Sequence, residues 1–135
     1  MVSVKKLKRS VWVTLSVLED SFSVCRLAPD AGIPPWVPTK GLVSITRTAD
    51  ELSIVCQSEV VPDGVRTERG FRALKIEGPF DFSLTGILLA VIGPLADAGI
   101  SIFAVSTYDT DYVLVKKKDL NQAVSVLSAF GHSFQ

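Results

Sequence analysis

The chain has one histidine, His132, and two cysteines, Cys25 and Cys56, in 135 residues. A single histidine leaves no cluster at metal-ligand spacing and no conventional Ser-His-Asp or Cys-His centre. Each cysteine sits in an apolar, strand-like run without a CxxC partner, which predicts buried free thiols rather than a disulfide. An excess of charge is also missing. The 14 basic residues balance 14 acidic ones, so the basic stripe that drives phosphate binding is absent and nucleic acid is not an expected partner. The basic clusters, Lys5, Lys6, Lys8 and Arg9, then Lys116, Lys117 and Lys118, read as a solvated N-terminal stretch and a solvated strand end. Long apolar runs are lacking too. Residues 87–92 are broken at Gly93 and Pro94, far short of the ~20 residues that a membrane span needs. The basic start is not followed by a small-residue cleavage pattern, so no export signal is read, no membrane partner is expected, and a cytoplasmic location is expected.

What is present is an apolar fraction of 47%, enough to build a packed core in one unit or in two half-size lobes. The second half is the more legible. Phe71-Arg72-Ala73-Leu74-Lys75-Ile76 alternates and predicts a strand that ends at Gly78-Pro79. From Ser83 the period changes. Ile87, Val91 and Leu95, flanked by Leu84 and Leu88, predict a helix capped by the Ser83 hydroxyl, bent at Pro94 and ended by Gly99. Residues 101–106 and 112–115 predict two strands around a turn at Tyr108-Asp109-Thr110. Asp119, with Gln122 three residues on, predicts a capping box and a second helix stopped by Gly131, with residues 132–135 as an edge strand. The order is βαββα with a final strand, the ferredoxin-like split arrangement.

In the first half, residues 12–18 and 22–27 predict a hairpin through Glu19-Asp20-Ser21. Residues 28–40 hold four prolines, at 29, 34, 35 and 38, which predicts a loop. Residues 42–47 and 52–56 predict another hairpin, Asp63-Gly64 a turn, and residues 65–70 a charged link. Laid over each other with a shift of 60, the halves share a polar turn, an acidic residue and an apolar strand. That pattern predicts a degenerate internal duplication whose first copy has lost most of its first helix to the Pro-rich loop.

Ser106, Thr107, Tyr108, Asp109, Thr110 and Asp111 form an unbroken row of polar-capable residues. Ser106, Thr107 and Asp109 are natural turn residues, and Tyr108 and Tyr112 suit packing with a wet hydroxyl. Asp111 begins a strand, where aspartate is disfavoured, which points to function. Gly86, at a helix start, lets a ligand approach the backbone. Free N–H groups and the helix dipole there suit an α-carboxylate, while strand carbonyls near Val105, or Asp109 or Asp111, suit an α-ammonium. Trp12 and Trp36 read as apolar anchors.

Residues 85–127 contain Thr85-Gly86-Ile87-Leu88, Pro94-Leu95-Ala96-Asp97-Ala98-Gly99-Ile100-Ser101-Ile102 and Ser106-Thr107-Tyr108-Asp109-Thr110-Asp111-Tyr112. They resemble an ACT domain of the tandem branch that includes the cytosolic arginine sensors (CASTOR-like proteins), the regulatory parts of aspartate kinases and small stand-alone bacterial proteins. The resemblance implies an α+β fold of two ferredoxin-like βαββαβ lobes, antiparallel sheets with helices on one face. The lobes are a degenerate ACT-like one at residues 1–70 and an ACT domain at residues 71–135. It also implies no intrinsic catalysis, no cofactor and no metal. A free amino acid would bind where two ACT domains meet, the chain would form a homodimer, and a protein partner would receive the signal. Carried onto this chain, the ligand-binding residues are Ser83, Leu84, Thr85, Gly86 and Ile87 from the loop, and Ala104, Val105, Ser106, Thr107, Asp109 and Asp111 from the strand edge. The Pro-rich segment of the first lobe matches no ACT helix.

Three classes of function compete. A regulatory module that senses an amino acid accounts for the polar row and for Gly86. A pairing module with a decayed ligand site accounts for the apolar strands. A small enzyme could use Asp109 and Asp111 as an acid–base pair, but the sequence offers no nucleophile with a base, phosphate loop or metal spacing to support it.

Overall fold

The computed structural model describes residues 11–78 and 86–135. Among these are the strands β1 (Thr14–Val17), β2 (Phe22–Leu27), β3 (Ser44–Arg47), β4 (Leu52–Gln57), β5 (Arg66–Ile76), β6 (Ile102–Ser106), β7 (Asp111–Lys116) and β8 (Ser133–Phe134), and the helices α1 (Ile87–Asp97) and α2 (Leu120–Phe130). The architecture is mixed α+β. The chain divides into two units, one holding β1 and residues 72–135, the other residues 19–71.

In the C-terminal unit β6 pairs with β7, β7 with β5, β5 with β1 and β1 with β8. The expected hairpin of residues 12–18 with 22–27 does not form. Instead β1 runs antiparallel to β5, with Leu15 opposite Ile76, and parallel to β8, with Leu15 opposite Phe134. The reason is burial. Val13 and Leu15 complete a core with Leu74, Ile76, Val91, Leu95, Val113, Val115, Ala123 and Leu127, to which both helices contribute. Each such large side chain, fully buried, contributes roughly 1.5–3 kcal/mol.

The Ile87, Val91, Leu95 stripe forms the inner face of α1 as expected, but its start differs. The N-cap is Gly86, at φ 81°, and the helix opens at Ile87. The expected cap, Ser83, lies outside the described residues. Within α1, Pro94 has no N–H to donate to the Ala90 carbonyl one turn back. His132 supplies that bond: its Nε2 lies 2.7 Å from Ala90 O, while Nδ1 accepts from the Val13 N–H at 3.1 Å. The buried imidazole is therefore the Nε2–H tautomer, and it ties β1 and the chain after α2 to a carbonyl that a proline left without its helical donor. The expected capping box is not made. Asp119 occupies the N-cap of α2 without a side-chain capping bond, and its carboxylate faces Lys118 at 3.5 Å. After α2 the chain turns at Gly131, φ 121°, where an added Cβ would stand 2.4 Å from Trp12 Nε1. Trp12 thus packs over the turn while remaining more than half exposed.

In the other unit the order is β3-β4-β2-β5. Cys25 lies opposite Ile54, Ser23 opposite Cys56, and Ser44 opposite Val55. The first part of β5 pairs with β2, with Thr67 opposite Cys25, so residues 66–70 are strand and not the expected link. Alternation carries them into the ladder despite their charge. The core holds Cys25, Leu52, Ile54, Cys56 and Val61, with Trp36 and Val37 of the Pro-rich segment packed against it. Both thiols are free and buried, and burial, with Cys25 adding to it, pushes Cys56 up to about 11.

The internal duplication is visible with an offset of 59. Adding 59 to β4 gives β7, and adding it to the 3-10 turn Ser58–Val60 gives the 3-10 turn Lys117–Asp119. The strand register repeats as well: Arg47 faces Leu52 as Ser106 faces Asp111. The sequence shift of 60 is one residue out, which in a strand would exchange the faces. With 59, the buried trio Ile54, Val55, Cys56 falls on the buried trio Val113, Leu114, Val115. The second copy continues into α2, whereas the first turns at residues 61–64 into β5 and has no α-helix.

Candidate functional site

The β6–β7 hairpin begins with β-prone residues and reverses over Thr107, Tyr108, Asp109 and Thr110. Thr107 closes the turn. Its N–H donates to Thr110 O at 2.8 Å, its hydroxyl donates to the same carbonyl at 3.0 Å, and that hydroxyl accepts from the Thr110 N–H at 3.3 Å. Thr48 closes the first copy's turn alike, with its N–H 2.9 Å from Glu51 O and its hydroxyl accepting from the Glu51 N–H at 3.2 Å. Most of the polar row is thus occupied by its neighbours. Ser106 Oγ donates to the Asp111 carboxylate across the strands, and Thr110 Oγ1 donates to Ile76 O.

A small crevice opens beside this turn. Its walls are Lys75, Gly78, Thr107, Asp109, Thr110 and Tyr112, and its volume is about 180 Å³. Two of the expected site residues, Thr107 and Asp109, are brought together here. Gly86 and Ile87 are not among these walls. Ser83, Leu84 and Thr85 lie outside the described residues. Along β6, Ala104 and Ser106 are exposed while Val105 turns into the core, leaving Val105 only its backbone to offer a ligand. Asp111 is half-buried and bonded to Ser106 rather than open.

Lys75 was not expected. As one position of an alternating strand it looked like a solvated side chain; the signal that could have found it is the strand's single lysine, three residues before Gly78. Its ammonium lies 3.7 Å from Glu77 Oε1, and Glu77 Oε2 accepts from the Ser16 hydroxyl at 2.6 Å. The Ser16 hydroxyl foremost, and the Lys75 charge after it, hold the Glu77 carboxyl below its ordinary value. Gln135 Nε2 in turn donates to Ser16 Oγ at 3.2 Å. The cation is therefore held by an ordered side-chain chain running across β5, β1 and the end of β8.

A larger groove of about 560 Å³ lies among Trp12, Pro94, Asp97, Ala98, Val126, Ala129 and Phe130. It offers one carboxylate and otherwise apolar or aromatic walls, without the convergent polar groups that orient a small polar ligand. Among the described residues no three His, Cys, Asp or Glu side chains are grouped to hold a metal, and no helix is long and apolar enough to cross a membrane.

Residues 66–129 match the family model of the ACT domain, and residues 20–64 match a separate model described as an N-terminal domain. The crystal structure of a protein from Agrobacterium tumefaciens is 44% identical, with a TM-score of 0.88, and the match covers 93% of this chain and 94% of that one. The chain carries an ACT domain. The human cytosolic arginine sensor for mTORC1 subunit 1 is 40% identical to this ACT-domain protein over 45 residues, which is 33% of this chain and 14% of the sensor. The chain spans less than a third of the length of such curated relatives. The regulatory subunit of aspartate kinase from Thermus flavus shares the fold at 10% identity, with a TM-score of 0.62, over 89% of this chain and 99% of that one. This ACT-domain protein thus combines the ferredoxin-like fold with a polar crevice at one hairpin.

Proposed function

We propose that this protein is a non-catalytic regulatory module that senses a free amino acid. The observation that carries the reading is the meeting of the ACT match, residues 66–129, with a crevice built from the polar turn inside that match. The arginine sensor supports the ligand class, since it shares sequence with this chain. The ligand meets the β6–β7 turn, where Thr107 and Asp109 of the expected residues line the crevice. Because Asp111 is bonded to Ser106, Asp109 is the carboxylate that receives the ligand's ammonium.

A second copy of the chain completes the regulatory unit. Among the described residues β6 pairs with β7 alone, so its other edge can meet another strand. The amino acid then shifts the arrangement it binds better, by its differential affinity and no more. The signal passes to a protein partner. A pairing module without ligand is the second reading, favoured by that same open edge. Isothermal titration with each of the twenty common L-amino acids separates the two. Heat from one of them supports sensing; silence from all at millimolar concentration leaves only pairing, which a dimer by sedimentation would support.

A further inference from the structure

We infer that Lys75, Tyr112 and Asp109 form a zwitterion clamp within one chain, and that the ligand is a small α-amino acid gripped by both charged ends in the crevice at the β6–β7 turn. The inference rests on the amino-acid-sensing reading above and assigns that site its head-group anchors.

The argument is one of elimination among the crevice walls. The Thr107 hydroxyl is engaged by Thr110 O and by the Thr110 N–H, and the Thr110 hydroxyl by Ile76 O. Gly78 has no side chain. Among the described walls, what remains to face a ligand is the Lys75 ammonium, the Asp109 carboxylate and the Tyr112 hydroxyl. Asp109 and Tyr112 have no side-chain partner among the described residues. Lys75 has one, Glu77 at 3.7 Å, which occupies a single direction of a three-proton donor. The result is a cation and a hydroxyl for a carboxylate, and a carboxylate for an ammonium. A simple anion would meet Asp109 as a repulsive neighbour, and a simple cation would meet Lys75; only a molecule carrying both charges satisfies both.

Size narrows the class further. A volume of about 180 Å³ lies below the ~300 Å³ at which pockets for larger ligands begin. Lys75 also stands beside an engaged carboxylate: Glu77 accepts from Ser16, and Ser16 accepts from Gln135.

The test is isothermal titration of the twenty common L-amino acids into the full chain, followed by titration of the binding amino acid and its α-carboxamide into Lys75→Met and Tyr112→Phe. Lys75 is partly exposed and Tyr112→Phe keeps the ring, so both variants fold; thermal melts check it. Loss of a charge-assisted contact predicts about tenfold to a hundredfold weaker binding by Lys75→Met and several-fold by Tyr112→Phe. The carboxamide binds the wild type weakly and loses little more in Lys75→Met, because both changes remove one contact. Binding by the wild type with Lys75→Met and Tyr112→Phe unchanged overturns the clamp and leaves amino-acid sensing standing. Binding by no amino acid to the wild type overturns both.

Discussion

Replacing His132 by alanine removes two hydrogen bonds at once, and the structure says which groups are orphaned: the Val13 N–H and the Ala90 carbonyl. Each buried backbone group left without a partner costs about 1–3 kcal/mol, so His132→Ala is expected to lose roughly 2–6 kcal/mol. Against a typical stability of 5–15 kcal/mol for a domain, the loss approaches unfolding. The carbonyl half of this loss has a specific remedy. Ala90 O needs His132 because Pro94 has no N–H, and Pro94→Ala restores a donor one turn on. In the wild-type background that donor meets a carbonyl already bonded, and its gain is small beyond relief of the proline itself. In His132→Ala it meets an orphan. Urea denaturation of the two single variants and the double variant should therefore give a coupling of about 1–2 kcal/mol, with the double variant more stable than additivity predicts. Additivity within ~0.5 kcal/mol would refute the claim that the histidine substitutes for the proline's missing donor.

Three further outcomes are expected. Gly131→Ala should lose roughly 1–3 kcal/mol in a thermal melt, because φ 121° disfavours a Cβ and Trp12 must move; adding Trp12→Ala should recover the steric part and leave the backbone part. Cys25 and Cys56 should resist a thiol reagent near pH 8 in the native protein and react on unfolding. As pH rises from the ordinary thiol value of 9.0 towards about 11, the unfolded chain ionises Cys56 while the folded one does not, so stability present below that window falls through it and Cys56→Ala should flatten the fall. Glu77 works in the opposite sense: its folded carboxyl titrates below its ordinary 4.5, so the stability it adds is present above that value and lost as pH falls beneath it. Acid titration of Glu77→Gln should show a shallower decline than the wild type.

What was legible in the sequence were features enforced by local burial. The α1 stripe and the β3–β4 and β6–β7 hairpins carry their period and their turn residues within a few positions of each other. Partner choice over long separations was not legible. Residues 12–18 and 22–27 alternate and are adjacent, so a hairpin was the natural expectation; yet Leu15 pairs with Ile76 and Phe134, and nothing local encodes that. The offset of 60 failed by one residue for a related reason. Similarity of side chains located the repeat, but only the ladder fixed which residue faces which. The helix start was misplaced because Ser83 has a capping hydroxyl and Gly86 has none, although glycine alone accepts the left-handed turn found at the cap.

The polar row shows the same division at the scale of a site. The sequence singles out residues 106–111 by their polarity, but it could not say which of them were available. Ser106 holds Asp111, Thr107 holds Thr110, and Thr110 holds Ile76, so the aspartate favoured for function, Asp111, is internally paired and the one assigned to the turn, Asp109, faces the crevice. The complementary charge comes from β5, 34 positions before Asp109 in the chain, where a single lysine in an alternating strand looks like ordinary solvated surface. The turn satisfies its own backbone and leaves Asp109 exposed, while Lys75 stands beside a Glu77 that Ser16 also contacts. On the reading proposed above, the opposite charges that flank this small crevice favour a molecule carrying both. A site of that kind, if the proposed clamp operates, selects by charge pattern before it selects by side chain, which is what the proposed sensing of free amino acids requires.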